Sequence, residues 1–388
     1  MMRIAILESI VMPAGHEVEF DRILVNELKK QGHEPVFFVP ERFPFKVNYH
    51  AEAEYLDGGE VVSYAGAGKL KKLYLSGVRE YRRKKWFDSA VQKAKEGKYD
   101  AIIVPTSTYR YLRTARHTMM KESPVPIIFI VHGINPREKH KFMREAEKCQ
   151  RYKNLHFAVL TLRNDFTECA LPNLHLMKPP VFMANSLGKV PEFSVHTPLR
   201  LGFFGQYRKE KNLEFFLQAF EQAVFQIPVT LTVQGATARP EDSEDFERLR
   251  KKYAHCKGIH FLHKSLLGEE WETALLETDV ILMPYAAERY RYHWGAMLFT
   301  AIGYNKPVLQ SPEMNPEVLA QFPIGEAVQM ESVEAFKQQL EQFVNTFEEK
   351  KEQYQTALQQ ANEAYGQAVL INELLTVIRG GTDENTIG

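Results

Sequence analysis

The chain of 388 residues is poor in cysteine: Cys149, Cys169 and Cys256 are scattered, with neither CxxC pairs nor metal-ligand spacing. That pattern excludes a disulfide scaffold and points to free thiols in a reducing compartment. No apolar run reaches the roughly 18 residues that span a bilayer. The opening MMRIAILES runs straight into a strand, without the shape of a signal peptide. Neither sign of charge is in excess, with 49 Lys and Arg against 49 Asp and Glu. No global field therefore marks a nucleic-acid or membrane partner. HExxH, GxSxG, the Walker A loop and the dinucleotide GxGxxG are also absent. These absences count against a metalloprotease, an ordinary hydrolase, an ATPase and a dehydrogenase. The expectation is a cytoplasmic protein without a nucleic-acid partner, its association with the inner face of the membrane left open.

What is present is an ordinary globular composition, 44% apolar and 25% charged, on a chain long enough for two domains. Short apolar stretches alternate with helical patterns. RIAILE, PVFFVP, YDAIIVPT, PIIFIVHG and LHFAVLT are the strands of the first half, and LRLGFFG, VTLTVQG, IHFLH and DVILMPY lead the second. Nearly all-apolar strands between helices form parallel sheet covered on both faces. Residues 41–60 read as irregular, EVVSY as a possible strand, and Val333 to Ile378 as helix before a frayed polar tail. The Pro-rich KPPVFMANSLGKVPEFSVHTP reads as a linker. The predicted fold class is α/β, two doubly wound Rossmann-like domains facing a cleft. The boundaries expected are 1–180, a linker at 181–198, 199–365, and a C-terminal helix and tail at 366–388. Ligands of such sheets bind at the carboxyl ends of the strands.

Four constellations could carry chemistry. In LGFFGQYRKEKN a strand ends at Gly205, and Arg208, Lys209 and Lys211 follow just before a helix. Cations beside a glycine turn suit a pyrophosphate; a solvated basic loop is the even alternative. In TDVILMPYAAERYRYHWGAMLFTAIGYNKPVLQS a strand leads through Tyr285, Tyr290, Tyr292, His293 and Trp294 to a helix opening at Gly295 and Ala296. Aromatic rings there could stack a base, and a helix start can take phosphate; a packing turn with a Trp plug is the alternative. Two loops after N-terminal strands hold Gly15 with His16, and His132 with Gly133. A histidine at a strand end can face a ligand, although a lone histidine is more often structural. Last, a basic helical run interleaves Lys69, Lys71, Lys72, Arg79, Arg82, Arg83, Lys84 and Lys85 with Leu73, Tyr74, Tyr81, Trp86 and Phe87. It suits either an anionic bilayer or an ordinary solvated face.

Taken together, RIAILES…AGHE…QGHEP, IVHG, the Pro-rich linker, LGFFGQYRKEKNLEFFLQAF, TDVILMPY and GYNKPVLQS resemble a GT-B glycosyltransferase of the large retaining, family 4-like group that uses nucleotide-sugar donors. The resemblance covers nearly the whole chain. It implies that Arg208 and Lys211 grip the donor diphosphate, with Gln206 at the position where most relatives carry the Arg. It implies that Gly15 and Gly205 approach the phosphates and that His132 lies near the donor sugar. His263 and Leu266 become candidates for the nucleobase. The family's Glu-x7-Glu pair falls on Tyr292 and Thr300, so the motif is degenerate; Thr300 can still bond a hydroxyl, and Glu288 lies close on the loop. The expected catalytic residues are His132, Arg208 and Lys211. Donor-binding residues are Gly15, His16, Gly205, Arg208, Lys211, His263, Leu266, Glu288, Tyr292, His293, Trp294, Gly295, Ala296 and Thr300.

The reaction implied is metal-independent transfer of a hexosyl group from a UDP- or GDP-linked sugar, without other cofactor, to a glycan, lipid-linked or other cell-envelope acceptor. The framework favours retention. A catalytically silent GT-B protein binding carbohydrate or a partner transferase, or a nucleotide-sugar epimerase, is the alternative. Peripheral membrane association would run through the 69–87 helix.

Overall fold

The computed structural model describes residues 1–10, 17–64, 68–166, 170–285 and 287–383. The chain divides into two compact units, Met1–Lys178 with Gln367–Gly388, and Pro179–Gly366.

The first unit runs through β1 (Arg3–Leu7), α1 (Glu17–Lys30), β2 (Glu34–Pro40), β3 (Glu52–Leu56), α2 (Lys69–Ala94), β4 (Ala101–Val104), α3 (Tyr109–Arg116), β5 (Ile127–Val131), α4 (Pro136–Cys149), β6 (Leu155–Leu160) and β7 (Leu174–Met177). The strands pair in parallel in the order β3-β2-β1-β4-β5-β6-β7. The central strands bury every residue of AIIV and IIFIV, as a sheet covered on both faces requires. Phe20, Ile23, Leu24 and Leu28 form the buried stripe of α1, the three-to-four spacing of one helix face.

The edges depart from expectation. The outer strand is EAEYL (β3), inside the stretch read as irregular, and EVVSY forms no strand. At a sheet edge only one flank pairs, so charged side chains are tolerated and the apolar signal fades. The edge strand β7, LHLM, was also not expected from the sequence.

The second unit runs through β8 (Leu199–Phe203), α5 (Leu213–Gln222), β9 (Val229–Gln234), α6 (Pro240–Lys252), β10 (Ile259–Leu262), α7 (Glu269–Leu276), β11 (Val280–Met283), α8 (Ala296–Gly303), β12 (Val308–Gln310), α9 (Pro316–Gln321), β13 (Gly325–Ala327), α10 (Val333–Asn345) and α11 (Phe347–Ala364). Its parallel order is β10-β9-β8-β11-β12-β13. The chain winds outward from β8 in one direction and then from β11 in the other, the doubly wound order of a Rossmann-like sheet.

The Pro-rich stretch read as a linker is packed into this second unit. Val181 N–H donates to Tyr365 O at 2.9 Å, and the N–H groups of Asn185 and Ser186 donate to the buried Glu272 carboxylate at 2.9 and 3.1 Å. Helix α12 (Gln367–Asp383) belongs to the first unit, where Lys178 N–H donates to Glu373 at 3.3 Å.

Candidate functional site

In an open parallel sheet the two strands from which the chain winds in opposite directions leave a crevice at their carboxyl ends. Here those strands are β8 and β11, with Leu201 beside Val280 and Gly202 beside Ile281. The loop after β8 carries Gly205 to Asn212, and the loop after β11 carries Tyr285 to Gly295.

The first loop turns at Gly205, whose φ of 101° is open to glycine and strained for other residues. Gln234, buried at the end of β9, fixes that turn: its Oε1 accepts the Gly205 N–H at 2.8 Å, and its amide donates to Lys264 O at 2.5 Å. One side chain thus ties three loops at the carboxyl edge. Tyr207 anchors the next step, with its hydroxyl 2.5 Å from Asp245.

The loop then delivers cations. Lys211 Nζ donates to the Tyr285 hydroxyl at 3.3 Å and lies 4.5 Å from the centre of that ring. Arg208 and Arg289 both face the Glu210 carboxylate, at 3.7 and 2.5 Å. Among the described residues, Glu210 is the carboxylate these cations share. Burial, and next the Arg208 charge, push the Lys211 ammonium down to about 7. A group held that far below the ordinary lysine range would regain its proton beside an added anion. Arg289 and Glu210 were missed in the sequence: attention fell on Glu288, which is exposed, while its neighbour reaches across to the first loop. Gln234 was legible as a polar residue closing an apolar strand and was passed over.

At the start of α8, Gly295 has a φ of 70°. A Cβ there would meet Asn315 Nδ2 at 2.8 Å and Met314 Cε at 2.9 Å. The missing side chain is therefore required by the protein's own packing, where close approach of another molecule was expected. Asn315 donates to Trp294 O at 2.8 Å and His293 Nδ1 accepts the Gly295 N–H at 3.3 Å, which sets the helix entry. By helix geometry the N–H groups of Ala296 and Met297 have no intrahelical acceptor. Nearby, the buried Gln310 Oε1, Ser311 Oγ and Asn315 Oδ1 have no hydrogen-bond partner among the described residues, a cost that water or a ligand relieves.

The aromatic residues of this loop are mostly interior. Trp294 is fully buried, edge-on to Phe182 at 5.3 Å, and offers no face to a base; it is the plug of the alternative reading. Tyr285, Tyr290 and Tyr292 are also buried. Thr300 is buried, and its hydroxyl donates to Ala296 O at 2.8 Å within its own helix.

His263 ends β10 with both ring nitrogens engaged, Nδ1 with Glu247 at 2.5 Å and Nε2 with Thr237 at 3.0 Å. Leu266 is buried beyond it. Ser243, in the first turn of α6, lies 3.5 Å from His263 Nε2. In the first unit, His132 follows β5, packs edge-on to Phe20 and bonds through Nε2 to Pro105 O at 2.7 Å. Gly15 and His16 lie outside the described residues.

Comparison with known proteins agrees with this architecture. Residues 198–346, which lie within the second unit, match the family described as Glycosyl transferases group 1. No curated protein sequence matches. Among solved structures, Anabaena Alr3699/HepE in complex with UDP aligns over 98% of this chain and 100% of that one, with TM-score 0.69 and 14% identity. Sucrose-phosphate synthase from Thermosynechococcus elongatus aligns over 100% and 99%, at 0.62 and 14%. WaaG, a glycosyltransferase involved in lipopolysaccharide biosynthesis, aligns over 97% and 100%, at 0.59 and 14%. The chain has the GT-B fold, built from two Rossmann-like domains.

Proposed function

We propose that this chain transfers a hexosyl group from a UDP- or GDP-linked sugar to a glycan, lipid-linked or other cell-envelope acceptor. The observation that carries the reading is the cluster of Arg208, Lys211 and Arg289 around one carboxylate at the switch point of the second sheet. As the bond between the sugar's anomeric carbon and the diphosphate oxygen breaks, its electron pair leaves with the diphosphate. Fixed cations aimed at that oxygen stabilise the developing charge, the arrangement that lowers transfer barriers most. They supply the positive charge that a divalent ion would otherwise supply, and for that reason the reaction is proposed as metal-independent. The acceptor hydroxyl forms the new bond to the anomeric carbon, and its proton passes to the departing diphosphate. The UDP named with Alr3699/HepE supports a uridine donor, and WaaG's role in lipopolysaccharide biosynthesis supports a cell-envelope acceptor.

Association with the inner face of the membrane is proposed through α2. Leu70, Leu73, Tyr74 and Tyr81 are exposed on its first half, beside exposed Lys71, Lys72, Lys84 and Lys85. Arg79, Arg82 and Arg83 are engaged within the protein, over Tyr64, on Glu60 O and on Glu80. Exposed apolar side chains flanked by lysines suit an anionic interface. No helix among the described residues is long and apolar enough to cross a membrane.

A second reading, a silent GT-B protein that binds donor or carbohydrate, is favoured by Tyr292 and Thr300 where the family carries carboxylates. Incubation with a panel of nucleotide sugars, with and without envelope glycans, separates the two. Release of nucleoside diphosphate, dependent on acceptor, is expected. Binding without turnover of any donor would overturn transfer, and an altered sugar nucleotide formed without acceptor would reveal an epimerase.

A further inference from the structure

The amino edge of the second sheet holds a group that this reaction does not use. Glu221 lies in the last turn of α5, and His255 and Cys256 lie in the turn from α6 into β10. Both turns precede strands, so they sit at the edge opposite the cation cluster. Glu221 Oε1 is 2.7 Å from His255 Nε2, and Cys256 Sγ is 3.5 Å from that nitrogen and 3.7 Å from the same carboxylate oxygen.

Two ordinary explanations fall short. A surface His–Glu pair accounts for the first contact and a thiol hydrogen bond to the same carboxylate for the second; neither requires the sulfur to approach His255 Nε2 as well. A nucleophilic Cys–His–Glu relay needs the carboxylate on Nδ1 and the thiol on Nε2; here both address Nε2, so the imidazole cannot pass a proton between them. Three donor atoms converging on one point is instead the arrangement a metal ion requires. For four-coordinate Zn2+, with bonds of roughly 2.3 Å to sulfur and 2.0–2.1 Å to nitrogen and oxygen, tetrahedral geometry sets S···N and S···O edges near 3.5 Å. The observed edges are 3.5 and 3.7 Å. Only the N···O edge is short, because a hydrogen bond now spans it.

We propose that Glu221, His255 and Cys256 bind a divalent ion of the Zn2+ class, with the fourth position open to solvent. On binding, the Cys256 thiol gives its proton to solvent, and the His255 ring proton moves to Nδ1 and frees the Nε2 lone pair. The hydrogen bond to Glu221 is replaced by metal bonds. Thiolate and carboxylate together neutralise the ion's two charges. The exposed imidazole and carboxylate leave an entry path, and the ion would clip α5 to the turn before β10.

The test uses the untagged full chain, stripped with chelator. Zn2+ is titrated against a chromophoric chelator, and Co2+ is added as a spectroscopic probe. One equivalent is expected to bind, with a thiolate-to-Co2+ charge-transfer band. Cys256→Ser should abolish the band and weaken Zn2+ binding by more than the roughly 10–100-fold that changes in outer-shell partners cost. Glu221→Gln and His255→Gln should weaken it too, whereas Cys149→Ala, a buried thiol outside the group, should not. Less than one equivalent bound, or a band that survives Cys256→Ser, would overturn the proposal. Nucleotide binding at the opposite edge should be unchanged in Cys256→Ser, so the two readings fail separately.

Discussion

Lys211 illustrates how a single side chain can be set for one ligand charge. Its ammonium is held down to about 7 by burial and by Arg208, while Glu210 is divided between Arg208 and Arg289. The group is short of negative charge, which a diphosphate would supply in the proposed reaction. Glu8, at the end of β1, shows the converse in the first unit. It is buried, its Oε2 has no hydrogen-bond partner among the described residues, and burial raises its carboxyl to about 8. Asp21 is raised as well, by burial and then by Glu8, so the two titrate as a pair. Because the folded value lies above the ordinary 4.5, the native state holds a proton that the unfolded chain releases between those values. Stability is then present at low pH and lost as pH rises towards about 8. Glu8→Gln removes Glu8's own share of this dependence and leaves the part that burial of Asp21 contributes. The variant should melt a few degrees above the parent near pH 8, on the order expected for 1–2 kcal/mol in a chain of this size, with the gap closing towards pH 5. Parallel melting curves at both pH values would contradict the burial argument.

At the scale of elements, α8 is governed by its first residue. Gly295→Ala must hold a left-handed φ and place a Cβ 2.8 Å from Asn315 Nδ2. Thermal unfolding should show a loss of about 1–3 kcal/mol; an unchanged melting temperature would mean that the turn relaxes freely. The same region shows what the sequence made legible. Apolar runs such as AIIV, IIFIV and VILM announced buried parallel strands because both faces of the sheet are covered. EAEYL and GEA did not, because edge strands carry polar residues. Gly205, Arg208 and Lys211 could be picked out because they follow one strand within a short span. Arg289 could not, since only the fold brings it to Glu210. Burial was also invisible: Trp294 looked like a stacking platform and is a plug against Phe182. Glu221 and Cys256, far apart in sequence, gave no metal spacing to read.

At the scale of the whole molecule, one unit holds the residues that match the glycosyl transferases group 1 family and the other presents the exposed apolar and lysine face of α2. The chain should cosediment with vesicles rich in anionic lipid and less with neutral ones. Replacing Leu70, Leu73 and Tyr74 together by Ser should reduce that binding about tenfold or more, since each buried apolar side chain contributes roughly 1.5–3 kcal/mol; equal cosedimentation would refute the α2 assignment. The central claim is that the cations of the second unit hold a nucleoside diphosphate. Its most direct test is titration calorimetry with UDP and GDP at pH 8, in buffers of different ionisation enthalpy. Lys211 is then mostly neutral in the unliganded chain, and an anion beside it raises its pKa. Binding should therefore take up about one proton, and Lys211→Met should abolish that uptake and weaken binding about tenfold or more. Unchanged affinity in the variant, or binding by the parent without proton uptake, would contradict the account.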